Sequence, residues 1–266
     1  MQRLSVIGNI SRDRTRYPDG RDSERAGGAA LHVAIAAARA GTPAAPVSVI
    51  GDDLTDALDA FREPRLDLTA LLTVPGPSAS FTMEYDLDDR LVGMTAAYGV
   101  AEQLTAHAMA HIAQHPQDRY HVSCRRPLHA PTVLRALVAH GVSFSVDFIV
   151  SSAEHMLAET APLLPHTDVV FTNADEYRLL ERHVDTGSLQ TVIVTDGPQA
   201  ARLLNHGHQI LTVMPPATTP AEVTGAGDTL AGAFLAHRLT SHDDSTTLRA
   251  AVSAASAHTL APSQRR

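Results

Sequence analysis

The sequence predicts an α/β fold of three layers, a mainly parallel sheet between two layers of helices, with a small β lid. Two observations carry this. Short β-branched runs alternate with Ala- and Leu-rich stretches along most of the chain, the pattern of repeated strand–helix–strand units. Two segments, 11–26 and 80–95, break the alternation and read as additional strands. With 266 residues, 44% of them hydrophobic, the chain suits one large domain over residues 1–266, with those two segments inserted in it.

In chain order, strands are predicted at 4–7, 46–50, 120–123, 143–147, 169–172, 191–195, 201–204 and 209–213. Each is a short run dominated by Val, Ile, Leu, Phe, Tyr or Thr. Helices are predicted at 29–40, 54–61, 101–115, 131–140, 152–157, 175–182, 228–239 and 245–260. Segment 11–26 is polar and turns at Pro18-Asp19-Gly20. Segment 80–95 reads as a hairpin: Phe81-Thr-Met-Glu-Tyr85, a turn at Asp86-Leu-Asp-Asp89, then Arg90-Leu-Val-Gly-Met94. Together the two segments can form a flap over a site. The proline-rich stretches 75–77 and 215–220 are loops.

Composition narrows the function. The net charge of −8 disfavours nucleic acid or an anionic membrane as partner. The N-terminus has no signal-peptide core and no apolar run reaches about 18 residues. Cys124 is the only cysteine; it is expected to be inert, and a reducing, cytoplasmic location is expected. All 21 basic residues are arginine. A chain without lysine has no P-loop lysine, no protein-kinase strand lysine and no Schiff-base amine. The first strand is followed by Gly8-Asn-Ile-Ser-Arg-Asp13, which lacks the G-x-G-x-x-G of a nicotinamide-dependent reductase.

The chemistry concentrates in Val223-Thr-Gly225-Ala226-Gly227-Asp228-Thr-Leu-Ala-Gly232-Ala233. A glycine-rich turn feeds a helix, whose first amides lack helical partners and lie at the positive end of the macrodipole. Gly225 and Gly227 permit torsions that let the amides of Ala226, Gly227 and Asp228 converge on an anion. Gly232 and Ala233 allow the helix to pack close to the sheet. Asp228 stands beside that anion hole, where it can take a proton from a hydroxyl; it can equally cap the helix. Asp13 follows a strand and can accept bonds from sugar hydroxyls. Gly27 and Gly28 open the helix at 29–40 without side chains that would obstruct a ligand. Asn173 and Glu176 lie at and after a strand end, and Thr195 and Gly197 at another.

Other residues carry blander expectations. His107, His111 and His115 share one helix face, read as solvated. Arg125-Arg126 reads as a surface pair that can meet an anion. The Asp86–Asp89 tip is a solvated turn.

Thr224-Gly-Ala-Gly-Asp228 with its helix, Gly27-Gly28 opening an Ala-rich helix, Asn173-Ala-Asp-Glu176 and Thr195-Asp-Gly197 occur in one order along the chain. Together they resemble the ribokinase-like (PfkB) carbohydrate and nucleoside kinases. The resemblance covers nearly the whole chain. It implies ATP and Mg²⁺, a β lid and pairing of two copies through that lid. It implies that Asp228 is the base and that Gly225, Ala226 and Gly227 line the anion hole. Substrate would be bound by Asp13, Gly27, Gly28 and His32. The nucleotide side would fall to Asn173, Glu176, Thr195 and Gly197, with Glu176 organising Mg²⁺ through water. The expected reaction is phosphorylation of a hydroxyl on a small sugar, cyclitol or related polyol. A nucleoside kinase and a non-catalytic nucleotide-binding homologue are the alternatives. Aromatic content of 4% without tryptophan leans away from a base-stacking pocket.

The sequence departs from the family pattern at several places. His32 stands where the family usually has Asn. Glu222-Val223 replaces an acidic-Thr lead-in. Asp147-Phe-Ile149-Val-Ser151 keeps only the Asp of Asp-x-Asn-x-Arg, and Ala200 replaces a glycine. These changes point to a divergent substrate or a weakened enzyme.

Overall fold

Val170, Val192 and Val194 pack into one buried cluster, while their neighbours Val169, Phe171 and Ile193 pack into another. Successive residues of a strand point to opposite faces, so these runs belong to a sheet covered on both sides. The computed structural model describes residues 2–20, 22–58, 61–87, 91–217, 224–240 and 243–260. Its strands are β1 (Leu4–Ile7), β2 (Ser11–Arg16), β3 (Ser23–Gly27), β4 (Ala44–Gly51), β5 (Leu71–Val74), β6 (Ala79–Tyr85), β7 (Leu91–Ala97), β8 (Arg119–Ser123), β9 (Phe144–Asp147), β10 (Val169–Asn173), β11 (Thr191–Thr195), β12 (Ala201–Asn205) and β13 (His208–Val213). Its helices are α1 (Ala29–Arg39), α2 (Thr55–Leu58), α3 (Leu104–Gln114), α4 (Ala130–Ala139), α5 (Val150–Thr160), α6 (Ala174–His183), α7 (Ala226–Leu239) and α8 (Asp244–Leu260).

Nine strands form the central sheet in the order β13-β12-β11-β10-β9-β8-β1-β4-β5. Pairing is parallel from β5 to β11 and antiparallel at β12 and β13. The apolar faces of α3, α4, α5 and α6 cover one side, and α1, α7 and α8 cover the other. This is the expected three-layer α/β/α arrangement. Segments 11–26 and 80–95 meet in a separate four-stranded sheet, β3-β2-β6-β7. No described helix is long and apolar enough to cross a membrane.

Several expectations need correction. Of the helix expected at 54–61, residues 59 and 60 lie outside the described residues; what is described is a 3-10 turn, Asp52–Leu54, running into α2, Thr55–Leu58. The helix at 101–115 begins as a 3-10 turn, Gly99–Gln103. β5 went unpredicted because it is a short, partly exposed edge strand. Gly232 serves helix-on-helix packing, not helix-on-sheet: an added Cβ would stand 2.2 Å from the Val33 carbonyl of α1. The histidine face of α3 is not solvated. His111 is buried, with Nε2 3.1 Å from Ser5 Oγ, and burial lowers its pKa to about 4. His107 Nε2 bonds the Ala70 carbonyl at 2.9 Å.

Candidate active site

The carboxyl ends of the parallel strands gather the polar residues, as open α/β sheets require of a ligand site. Ser123 of β8 pairs with Asp147 of β9, and Asn173 of β10 pairs with Thr195 of β11. Asn173 caps α6: its side-chain oxygen accepts from the amides of Asp175 and Glu176, and Glu176 Oε2 accepts from the Asn173 amide at 2.8 Å. This reciprocal cap fixes both candidate residues. Thr195 Oγ1 reaches back to the Thr172 carbonyl at 3.4 Å. Gly197 turns with φ +53°.

The second sheet supplies Asp13 from β2. Ser11 Oγ donates to Asp13 Oδ1 at 2.8 Å. Gly27 leaves Asp13 its room, since a Cβ there would stand 2.4 Å from Asp13 Oδ2. Gly28 is the N-cap of α1 at φ +104°, where a Cβ would meet the Asn9 carbonyl at 2.3 Å. Both glycines are therefore required by packing around the β1–β2 corner. Burial raises the Asp13 pKa most, and Asp228 adds to the rise; Ser11 and Arg25 oppose it.

α7 begins at the candidate anion turn. Gly225 is its N-cap in the left-handed region, φ +80°, a conformation glycine adopts without strain. Asp228 is the third helical residue, and among the described residues no side-chain hydrogen bond caps the helix at Gly225. The capping role open to Asp228 from sequence is thus not the one it has. Gly227, unlike Gly225, has no positive φ, and among the described residues a Cβ there would meet nothing within 4 Å, so the helix start is open at that position. The turn is braced from two helices. His32 of α1 lies 3.2 Å from where a Gly225 Cβ would stand, and His258 of α8 donates Nε2–H to the Thr224 carbonyl at 2.8 Å. The two imidazoles meet edge to face at 5.8 Å.

Asp13, Gly27, His32 and Gly225 thus form a chain of neighbours, and Asp228 is close enough to Asp13 to act on its charge. Asn173 and Thr195, expected on the nucleotide side, lie further along at the carboxyl ends of β10 and β11, with Glu176 in the first turn of α6. The Glu222-Val223 lead-in and Asp88-Asp89 lie outside the described residues.

Arg125 is the main surprise. It is not a surface residue. Its Nη2 hydrogen-bonds Asp147 Oδ2 and lies 3.8 Å from Asp228 Oδ1. Burial works against its charge, but Asp147, Asp228 and Glu176 outweigh that and raise its pKa. Behind it, His121 is fully buried with Nδ1 2.9 Å from Ser145 Oγ, and burial lowers its pKa to about 3. Cys124 is buried, which pushes its thiol up and keeps it inert. The position of Arg125 just past a strand's carboxyl end was the available signal. Beside the site, a cavity of about 250 Å³ is lined by Tyr98, Arg126, His129, His155, Met156 and Glu159 among others. Tyr98 meets Phe81 of β6 edge to face at 6.2 Å.

Comparison with known proteins identifies the family. The family described as pfkB family carbohydrate kinase matches residues 1–265. A cytidine kinase of Thermococcus kodakarensis is 27% identical over 250 residues, covering 88% of this chain and 87% of that protein. The adenosine kinase of Sinorhizobium meliloti superposes with a TM-score of 0.78 at 19% identity, covering 96% of this chain and 92% of the other. A nucleoside kinase of Burkholderia thailandensis, solved with inosine, gives 0.74 at 20% identity, covering 96% and 90%. With a family match across almost its whole length, the chain belongs to the pfkB family and is an ATP-dependent kinase.

Proposed function

We propose that the enzyme phosphorylates a hydroxyl of a ribose-bearing substrate, with a nucleoside as the substrate class. The observation that carries the reading is the approach of Asp13 to Asp228 beside the open, glycine-lined start of α7. Asp13 accepts hydrogen bonds from sugar hydroxyls. Asp228 takes the proton from the attacking hydroxyl as its oxygen bonds to the terminal phosphorus of ATP and the bond from that phosphorus to the ADP oxygen breaks, releasing ADP. The amides of Ala226, Gly227 and Asp228 receive the charge on the phosphoryl group. ATP supplies that group. Asn173, Glu176, Thr195 and Gly197 are assigned to the nucleotide side.

Among the described residues no cluster of three or more His, Cys, Asp or Glu could hold a metal. Glu176, already accepting from the Asn173 amide, fits a hydrated Mg²⁺ carried mainly by phosphate oxygens, since Mg²⁺ commonly takes one or two carboxylates and keeps several waters. The metal neutralises phosphate charge when bound.

The nucleoside is preferred over the free sugar or cyclitol on two grounds. The cytidine kinase relative acts on one, and the Phe81–Tyr98 pair with the adjoining cavity fits a planar ring bearing hydrogen-bonding groups. The low aromatic content loses its weight once those two rings lie together near Asp13. Release of ADP measured with cytidine, adenosine, inosine, ribose and inositol tests the reading. Turnover of a nucleoside, with kcat lowered about 10²–10⁴-fold in Asp228→Asn, is expected. Turnover of ribose or inositol alone would reinstate the sugar reading. Activity surviving in Asp228→Asn would remove the assigned base.

A further inference from the structure

We propose that Arg125 is a phosphate-contacting residue of this kinase, its guanidinium held by Asp147 so that it grips the terminal phosphate of ATP beside Asp228. The inference rests on the reading of Asp228 and the α7 turn as the place where alcohol and phosphate meet.

Charge makes the first case. Asp13, Asp147, Glu176 and Asp228 converge on one end of the sheet. A terminal phosphate brings further negative charge into this space, and the low dielectric of a closed site makes repulsion expensive. The chain has no lysine, so a side chain that adds a permanent positive charge beside the metal and the amides must be an arginine. Among the described residues, Arg125 lies within ion-pair reach of Asp228, its Nη2 3.8 Å from Asp228 Oδ1. The residues after Asp147, Phe148-Ile149-Val150-Ser151, carry no cation.

Geometry makes the second case. The Arg125 backbone is pinned just past β8: its amide donates to the Ser123 carbonyl at 2.9 Å, and the next turn returns through Leu128 N to the Arg125 carbonyl at 3.2 Å. Asn9 Nδ2 ties the adjoining Arg126 carbonyl to the β1–β2 corner at 2.7 Å. The side chain is thus presented from a rigid strand end. Asp147 anchors Nη2, whereas Asp228 stands at 3.8 Å, beyond hydrogen-bond distance. Arg125 Nε is buried and has no hydrogen-bond partner. One fifth of the side chain remains exposed. A guanidinium offers five N–H donors in a planar fork suited to phosphate. A purely structural ion pair would satisfy more of them.

The electrostatics agree: the three carboxylates around Arg125 keep it charged despite burial. A fixed cation preorganised toward the reacting phosphate stabilises charge there without reorganisation.

The test compares ATP and ADP binding by titration calorimetry in wild type, Arg125→Ala and Arg125→Lys, with ADP release measured alongside. A charge-assisted contact to the terminal phosphate predicts about 30-fold weaker ATP binding in Arg125→Ala, with ADP affinity within twofold of wild type. Arg125→Lys should recover part of the preference for ATP, and guanidinium ion should restore part of the turnover of Arg125→Ala. Parallel loss of ATP and ADP affinity together with a lowered Tm would make Arg125 a support for Asp147 only, and overturn the proposal. Unchanged ATP affinity and turnover would overturn it as well. Asp228→Asn separates the two readings. If Asp228→Asn is inactive while Arg125→Ala is normal, the arginine inference fails and the base stands. If Asp228→Asn is active, both fall.

Discussion

Asp13 is under two opposed demands. In the substrate role proposed for it, its hydrogen bonds from hydroxyls are strongest when it is ionised, yet its position is buried and near Asp228. Burial, then Asp228, lift its pKa above the ordinary 3.8, against the pull of Ser11 and Arg25. A carboxyl with a raised folded pKa holds its proton more tightly folded than unfolded. Its effect on stability is therefore neutral below 3.8 and increasingly adverse as pH rises through the folded pKa. Asp13→Asn keeps an acceptor for Ser11 and removes the charge. Its Tm is expected to exceed wild type at pH 7 by about 2–4 °C, the size of a 1 kcal/mol change in a chain of this length, with the gap closing toward pH 4. Function should move the other way, with KM for the alcohol substrate up about 10–100-fold. Calorimetry at pH 4, 5.5 and 7 beside steady-state kinetics reads both. A variant equally stabilised at every pH would show that the Asp13 charge is not the cause.

At the scale of the element, α7 is a helix whose N-terminus is shaped by other helices. Gly225 sets the turn, α1 brings His32 against it, and α8 brings His258 onto the Thr224 carbonyl. A turn that presents amides to a phosphate gains from being rigid before the phosphate arrives. His258→Ala removes one hydrogen bond of about 1 kcal/mol. It is expected to lower kcat about fivefold and to speed amide hydrogen exchange at 225–228, with the sheet amides unchanged. Exchange unchanged at that turn would mean that Gly225 and His32 hold it unaided. The same element shows what sequence conveys. The glycine-rich run followed by apolar residues announces the α7 turn because its signal is local. The strands announce themselves because both their faces are buried, giving continuous apolar runs. His258 carries no local signal: its partner is 34 residues away in sequence. Arg125 reads as a solvated charge until β9 is placed beside β8, since Asp147 lies 22 residues on. His111 fails likewise. Helical spacing puts it on a face with His107 and His115 but cannot tell that the face meets Ser5 of β1.

The whole molecule presents a sheet that projects beyond its own core. Pairing places Asp13 beside Phe81, Phe81 beside Ala96, and Met83 beside both Thr15 and Met94. Residues directly opposite share a face, and so do residues two apart. The face of this sheet that carries Asp13 therefore continues outward through Met83 and Met94, toward the bulge at Val92. Met94 is 54% exposed and Val92 64%. The opposite face differs in character, with Arg12 and Arg14 both bonded to Glu24. An exposed apolar surface running on from a substrate site, at the edge strand β7, is suited to burial against another protein surface. A second copy of the same chain is the proposed occupant, lid against lid in the self-complementary manner of a two-fold dimer. Such pairing would cover the outer part of the face and narrow the entrance to Asp13, so assembly and substrate binding should be coupled. Replacing Val92 and Met94 together by Glu places two charges on that surface. Light scattering after gel filtration should then read twice the chain mass for wild type and the single-chain mass for the variant. KM for the alcohol should rise in the variant with ATP affinity unchanged, because the residues proposed for the nucleotide lie at the ends of β10 and β11 and not on the lid. A wild type that is monomeric at micromolar concentration would remove the dimer. A monomeric variant with unaltered KM would leave the dimer in place and show that it takes no part in closing the site.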